Sequence, residues 1–160
     1  MVRTPNDIIE QLARGPEVLD ALLETVPTAD LKRRPHPAKW SAHEHACHVA
    51  VMEPMWRERL ERILSEDAPR IVSYEPQDDD PDRLLNVDLQ ESMRLFRSQR
   101  AALVATLRAL PASAWNRAAS HTSHARYSLF LMCRHIAMHD LLHGYRIEES
   151  ALGSHWPADG

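Results

Sequence analysis

The chain has 160 residues, of which 44% are hydrophobic and 26% are charged, and this balance predicts one globular domain over residues 1–160. The net charge is −4 and no block of lysine and arginine dominates, so nucleic-acid binding through phosphate neutralisation is not favoured. The two cysteines lie far apart and outside any CxxC pattern, which predicts neither a disulfide framework nor a zinc ribbon. The N-terminal segment lacks a long apolar run, so we expect no signal peptide, no membrane span and a cytoplasmic location.

Two amphipathic helices are predicted in the first half of the chain. Thr4 is a suitable N-cap for the first helix, and Pro16 predicts a kink within it. Ser41 begins the second helix, because Glu44 three residues later completes a capping box, and the helix is expected to run to about Glu66.

Two further helices follow a long acidic crossover at residues 68–82. Asp88 and Glu91 repeat the capping pattern at the start of the third helix, and Ser128 is a candidate cap for the last, at about 129–149. Strand signals are nearly absent. Four long helices predict an all-α four-helix bundle, and the long crossover permits the second and third helices to run parallel.

Ten histidines are the compositional oddity, and three of them recur every fourth residue in the last helix. Residues four apart differ by 40° in direction and by ~6 Å along the axis, so His139 and His143 share the apolar face of Met132 and Ile136. A buried neutral imidazole with an unsatisfied nitrogen costs about 1–3 kcal/mol, and an ion held by an i,i+4 pair removes that cost. The spacing allows either His135/His139 or His139/His143, but not all three on one ion.

The second helix offers three candidates for a third ligand. His48 shares the sector of Met52 and Met55 and is the best inward candidate, with His45 on its flank. His43 falls in the first turn, where we expect it to be solvated. The alternative for all of them is a hydrogen-bonded core histidine. The remaining histidines lie in loops or in the tail and are expected to be exposed: His36, His121, His124 and His155.

Several neighbours of the histidine stripe are candidates for a pocket, with ordinary core packing as the alternative. They are Met52, Met55, Trp56 and Met132. Arg146, one turn after His143, is a candidate for steering an anionic substrate, with a rim salt bridge as its alternative. Glu53 is expected to point away and Glu44 to act as a cap, so no general base is nominated.

The sequence "KWSAHEHACHVA" at residues 39–50, followed some 90 residues later by "HDLLHGYRI" at 139–147, resembles the DinB/YfiT-like metalloenzyme family. The second helix of this family typically opens with W-[ST]-x-x-E. Trp40, Ser41 and Glu44 fit that pattern. The resemblance spans essentially the whole chain and implies a four-helix bundle with up-down-down-up topology.

The resemblance also implies a three-histidine metal site. The family ligand eight residues after the tryptophan corresponds to His48, and the family HxxxH corresponds to His139 and His143. His135 is then outside the ligand set, as a neighbour of the ligands or a core residue. Asp140 points away from both ligands and is interpreted as a structural residue and a candidate ion-pair partner.

The function implied by the resemblance is that of a divalent-metal-dependent enzyme acting on a small molecule, with zinc or nickel suited to nitrogen ligands. Some members use a low-molecular-weight thiol such as bacillithiol or mycothiol, so we predict a thiol-dependent S-transferase. A metal-dependent hydrolase and a non-catalytic metal-binding stress-response module are the alternatives. A further apolar flank of the last helix makes a homodimer plausible: Leu131, Met138, Leu142 and Tyr145.

Overall fold

The computed structural model describes residues 4–74 and 80–153, so the prediction for His155 falls outside the described residues. All four predicted helices are present. They are α1 (Pro5–Thr25), α2 (Ala42–Ser65), α3 (Leu89–Arg108) and α4 (Leu129–Gly153). None of the helices in these two ranges is long and apolar enough to cross a membrane.

Side-chain caps define where the first three helices begin. The Thr4 hydroxyl accepts the N–H of Asp7 at 3.2 Å, and Asp88 accepts the N–H of Glu91 at 2.8 Å. At α2 the capping box is complete, since the Ser41 hydroxyl accepts the N–H of Glu44 while the Glu44 carboxylate accepts the N–H of Ser41. These bonds satisfy backbone donors that a helix N-terminus otherwise leaves unpaired.

Helix α1 is continuous through Pro16, which lies buried in its middle. The proline removes one backbone donor, but the helix does not end there. Its neighbour Gly15 is buried as well and faces α4, which places this part of α1 in close contact with the bundle interior.

Residue pairs across the bundle establish the up-down-down-up topology. Helix α1 runs parallel to α4, because Gln11 donates to the carbonyl of Ala137 and, one turn later, Gly15 lies against Asp140.

Helices α2 and α4 run antiparallel, and this pairing positions the histidines. His45 near the start of α2 meets His143 in the second half of α4, and Trp56 further along α2 meets His135 near the start of α4. Helices α2 and α3 run parallel, because His43 in the first turn of α2 bonds Val87 just before α3, and Glu53 further along α2 bonds Arg100 further along α3. The long crossover between α2 and α3 is what makes their parallel arrangement possible.

A small sheet joins the two long connections, and its presence shows that the expectation of almost no strands was incomplete. Its strands are β1 (Arg70–Ile71), β2 (Ala118–His121) and β3 (Tyr127–Ser128). Strand β1 pairs parallel to β2, and β2 pairs antiparallel to β3. Strands of two to four residues are too short to produce a period-two pattern, so the sequence carries little signal for them.

The hydrophobic core forms two clusters, which lie on either side of His139 and His143 along α4. The larger cluster includes Trp56 and Met132, and the smaller includes Ala46 and Ile147. On α4 the inward histidines therefore lie between two apolar regions, where ordinary core side chains would otherwise be expected.

One buried cation connects three helices. The Arg100 guanidinium on α3 bonds Glu53 on α2 at 2.5 Å and both carboxylate oxygens of Asp140 on α4. The expectations that Glu53 points away from the histidines and that Asp140 takes part in an ion pair agree with this network. Because Asp140 directly follows His139, this network restrains the orientation of α4 at the level of the histidines.

Candidate metal centre

Three imidazoles from two helices meet at one point in the bundle. The Nε2 atom of His139 lies 3.2 Å from the Nε2 atom of His48 and 3.2 Å from that of His143. Among residues 4–74 and 80–153 this is the group of side chains found able to hold a metal ion. The alternative pair His135/His139, which helix spacing left open, is not the one that meets His48.

The separations and the proton count fit a metal ion. A neutral imidazole carries one N–H, so His139 Nε2 cannot donate to His48 and His143 at the same time. Its other nitrogen, Nδ1, is buried and has no hydrogen-bond partner within the described parts of the chain. Two nitrogens at tetrahedral zinc-ligand distances are about 3.3 Å apart, close to the spacing of these Nε2 atoms.

Burial keeps the three imidazoles neutral at physiological pH. It is the main reason that the pKa is lowered to about 4 for His48, to about 3 for His139 and to about 2 for His143. Charge repulsion lowers each pKa further, by the Arg83 cation for His48 and, for the other two, by a neighbouring imidazole once that ring is protonated. Neutral imidazoles have the free lone pair that a metal ligand requires.

His45 lies on the outer side of the same cluster. Its Nδ1 atom is 2.8 Å from Nδ1 of His143, while Nε2 of His143 faces the other two imidazoles. His45 therefore contacts His143 on the side away from the other two imidazoles, and it is not a member of the three-histidine group. Burial is the first cause that lowers the pKa of His45 to about 4.

His43 is buried, so the expectation that it is solvated was wrong. Its Nε2 atom bonds the carbonyl oxygens of Leu84 at 3.1 Å and Val87 at 3.0 Å. The short 3₁₀ helix Arg83–Asn86 of the crossover covers the first turn of α2, which position within the helix alone could not predict.

Trp40, which served in the sequence analysis only to match the family pattern and to locate His48, is itself part of the site. Its half-buried ring lies 4.8 Å from the ring of His48, 5.5 Å from that of His45 and 6.1 Å from that of His143, between centroids. The available signal was its fixed place eight residues before His48. The indole covers one side of the histidine cluster.

The predicted pocket residues are mostly core. Met52, Trp56 and Met132 belong to the larger hydrophobic cluster, and Met55 is half-buried against it. The Trp56 ring also lies beside the three histidines, with its centroid 6.1 Å from that of His139. A role for these residues in lining a substrate pocket stays a prediction.

The two remaining candidates lie at the surface. His135 is exposed, with its ring 5.7 Å from Trp56, so it is not the core residue that was one of its two expected roles. Arg146 is exposed and pairs with Glu149 at 2.5 Å. The salt bridge is the alternative foreseen for Arg146, and its steering role stays a prediction. Among the loop histidines, His36 and His124 are exposed as expected and His121 is half-buried.

The fold and the site define a four-helix bundle of up-down-down-up topology in which three neutral histidines from α2 and α4 converge. The model of the DinB superfamily matches residues 11–147, and the chain belongs to this superfamily. The family resemblance of the sequence and the predicted bundle are thereby confirmed.

Among solved structures, the chain is similar to YfiT from Bacillus subtilis, described as a probable metal-dependent hydrolase with an unusual four-helix bundle topology. The TM-score is 0.81 at 19% sequence identity, and the match covers 96% of this chain and 89% of that chain. At this identity the likeness concerns the fold. No match was found among curated proteins.

Proposed function

We propose that the protein is a divalent-metal-dependent enzyme whose ion is held by His48, His139 and His143. The observation that carries the proposal is that His139 Nε2 lies 3.2 Å from Nε2 of His48 and 3.2 Å from Nε2 of His143, in surroundings that keep the rings neutral. Three protein ligands are typical of catalytic sites, because they leave coordination positions for substrate. Zinc and nickel both suit a donor set of nitrogens.

The residues of the chain have separable tasks in this proposal. The three imidazoles would hold the ion through Nε2. When bound there, the ion would supply Lewis acidity, which lowers the pKa of a water or thiol toward neutrality. Trp40 lies against His48 and Trp56 against His139, and in this proposal the two indoles limit the rotation of these imidazole rings.

Hydrolysis of a small ester or amide is the leading reaction in this proposal. YfiT, whose fold the chain shares, is described as a probable metal-dependent hydrolase. A metal-activated water can act without a neighbouring carboxylate when the ion itself brings the pKa of the water to about 7.

Transfer to a low-molecular-weight thiol such as bacillithiol or mycothiol is the second candidate, and the state of the carboxylates favours it. Glu44 pairs with Arg34, while Glu53 and Asp140 both pair with Arg100. These carboxylates near the histidines in the chain are thus engaged. A thiol, with an ordinary pKa of about 8.5, needs less help to ionise than water does.

Metal analysis and a divided substrate assay test the proposal. We expect one zinc or nickel ion per chain in the purified protein, lost in His48→Ala and retained in the exposed control His36→Ala. Thiol-independent turnover of esters or amides supports the hydrolase, and turnover of an epoxide or a chlorinated aromatic only with bacillithiol or mycothiol supports the transferase.

The same measurements identify the outcomes that contradict the proposal. A bound ion without turnover of either substrate class would point to a non-catalytic metal-binding module. If neither stoichiometric metal nor a change in melting of His48→Ala is found, the metal-dependent function is wrong.

A further inference from the structure

We propose that His45 is a positioning residue for the metal site: it accepts a hydrogen bond from Nδ1–H of His143 and so holds His143 in the tautomer that leaves Nε2 free. This inference rests on the proposed function, since it concerns how one ligand is prepared for the ion. It assigns a task to a side chain that is not itself a ligand.

The geometry of the two rings carries the proposal. The Nδ1 atoms of His45 and His143 lie 2.8 Å apart, a normal hydrogen-bond distance. The opposite nitrogen of His143, Nε2, lies 3.2 Å from His139 Nε2. His143 therefore has one nitrogen toward His45 and the other toward the ligand cluster, and a proton on the first leaves the second available.

The direction of this hydrogen bond follows from the number of protons on each ring and from the requirement that Nε2 of His143 be free to bind the metal. Two facing nitrogens can share a hydrogen bond only if one of them carries the proton. A proton on His45 Nδ1 would place the proton of neutral His143 on Nε2, where it would block metal binding. Donation from His143 Nδ1 to His45 is the arrangement compatible with a ligand, and it leaves the proton of His45 on Nε2.

A contrast within the site shows why this contact matters. His139 Nδ1 is buried and has no partner in the described regions, so no hydrogen bond seen there selects its tautomer. His143 is the ligand for which the structure records such a partner on Nδ1. Partners that bind the outer nitrogen of a ligand fix its tautomer and orientation, and losing one typically weakens metal binding about 10- to 100-fold.

His45 is itself held in place by its surroundings. It stands one turn before His48 on α2, so the same helix delivers a ligand and the support for another ligand on α4. The edge of its ring meets Trp40, with 5.5 Å between centroids at an interplanar angle of 65°. The support is therefore built on a rigid helix and packed against an indole.

Zinc affinity in matched variants tests the proposal. His45→Leu removes the acceptor, whereas His45→Asn keeps an oxygen at the position of Nδ1, and His36→Leu is an exposed control on the loop before α2. Competition between the protein and a chelator for zinc should show affinity about 10- to 100-fold lower for His45→Leu, largely recovered in His45→Asn and unchanged in His36→Leu.

A metal-free measurement gives a second readout that a general loss of packing would not produce. In chelator-treated wild type, long-range ¹H–¹⁵N spectra should place the proton of His143 on Nδ1, and His45→Leu should shift it toward Nε2. The proton of His143 on Nε2 in the wild type overturns the proposal, even if His45→Leu fails to fold.

Failure of this proposal is distinguishable from failure of the metal-dependent function. Equal zinc affinity of wild type and His45→Leu overturns the positioning role while the metal site stands. No zinc binding by the wild type overturns the metal site, and the positioning role with it.

Discussion

Arg100 contacts Asp140 through two of its nitrogens, and both side chains are almost fully excluded from solvent. Because Asp140 follows His139 directly, this ion pair restrains the rotation of α4 about its axis at the candidate metal centre. Glu53 on α2 completes the same network, which thereby links both helices that carry candidate ligands.

Breaking this network should be costly. Arg100→Met leaves Glu53 and Asp140 buried without their cation, and we expect the free energy of unfolding to fall by about 3–5 kcal/mol. The exposed pair Arg97–Asp20 provides the control, since Arg97→Met should cost at most about 1 kcal/mol. Urea denaturation of the two variants measures the difference, and equal losses would contradict a structural role for the buried network.

Gly15 is required by the close approach of α1 to this ion pair. A Cβ atom there would lie 2.9 Å from Asp140 Oδ2 and 3.1 Å from Arg100 Nη1. We expect Gly15→Ala to lower the free energy of unfolding by about 1–3 kcal/mol, despite the higher helix propensity of alanine. Gly153→Ala is the matched control, because nothing lies within 4 Å of its added Cβ. A Gly15→Ala variant as stable as the wild type would show that the contact relaxes freely.

The metal-free protein should lose stability as the pH falls below 6.5. Burial lowers the folded-state pKa of His48 to about 4 from the ordinary 6.5, so the unfolded chain binds a proton that the folded chain does not. The contribution of His48 is fully present above pH 6.5 and decreases as the pH falls through the window between 6.5 and about 4.

The titration of His48 can be isolated with a variant that lacks the imidazole. In the presence of chelator, the loss of unfolding free energy between pH 7 and pH 5 should be smaller in His48→Gln than in the wild type by ~2 kcal/mol. Urea denaturation at the two pH values measures this quantity. Parallel losses in both proteins would mean that His48 is not kept neutral by the fold.

The outer flank of α4 predicts a homodimer. Met138, Leu142 and Tyr145 are 40%, 52% and 60% exposed, whereas Leu131, the fourth residue of the predicted flank, is half-buried. Helices α1 and α3 therefore leave most of this flank uncovered. An apolar surface of this kind is typical of a contact between subunits. We expect light scattering to give twice the chain mass, and Leu142→Glu to give the single mass.

Leu95→Glu is the control for the dimer prediction, because Leu95 is also an exposed leucine but lies on α3. Dissociation by both substitutions would indicate a nonspecific effect of charge. A wild-type protein with the mass of one chain would contradict the prediction of a homodimer.

Local physical chemistry was sufficient to predict the four helices and the candidate ligands on α2 and α4. The caps at Thr4, Ser41 and Asp88 act within four residues, and a helical period places His139 and His143 on one face whatever the rest of the chain does. Such features depend on short-range geometry, so the sequence alone predicts them.

Contacts between distant segments decided the rest. Only the antiparallel packing of α2 on α4 brings His48 to His139 and His45 behind His143, and only the return of the crossover buries His43. The reach of an imidazole across two helices depends on the relative rotation of both helices, which Arg100 and Gly15 help to set. The sequence by itself determined the four helices and the inward pair His139 and His143, and the tertiary structure decided which histidines meet, because side chains about ninety residues apart become neighbours only through packing.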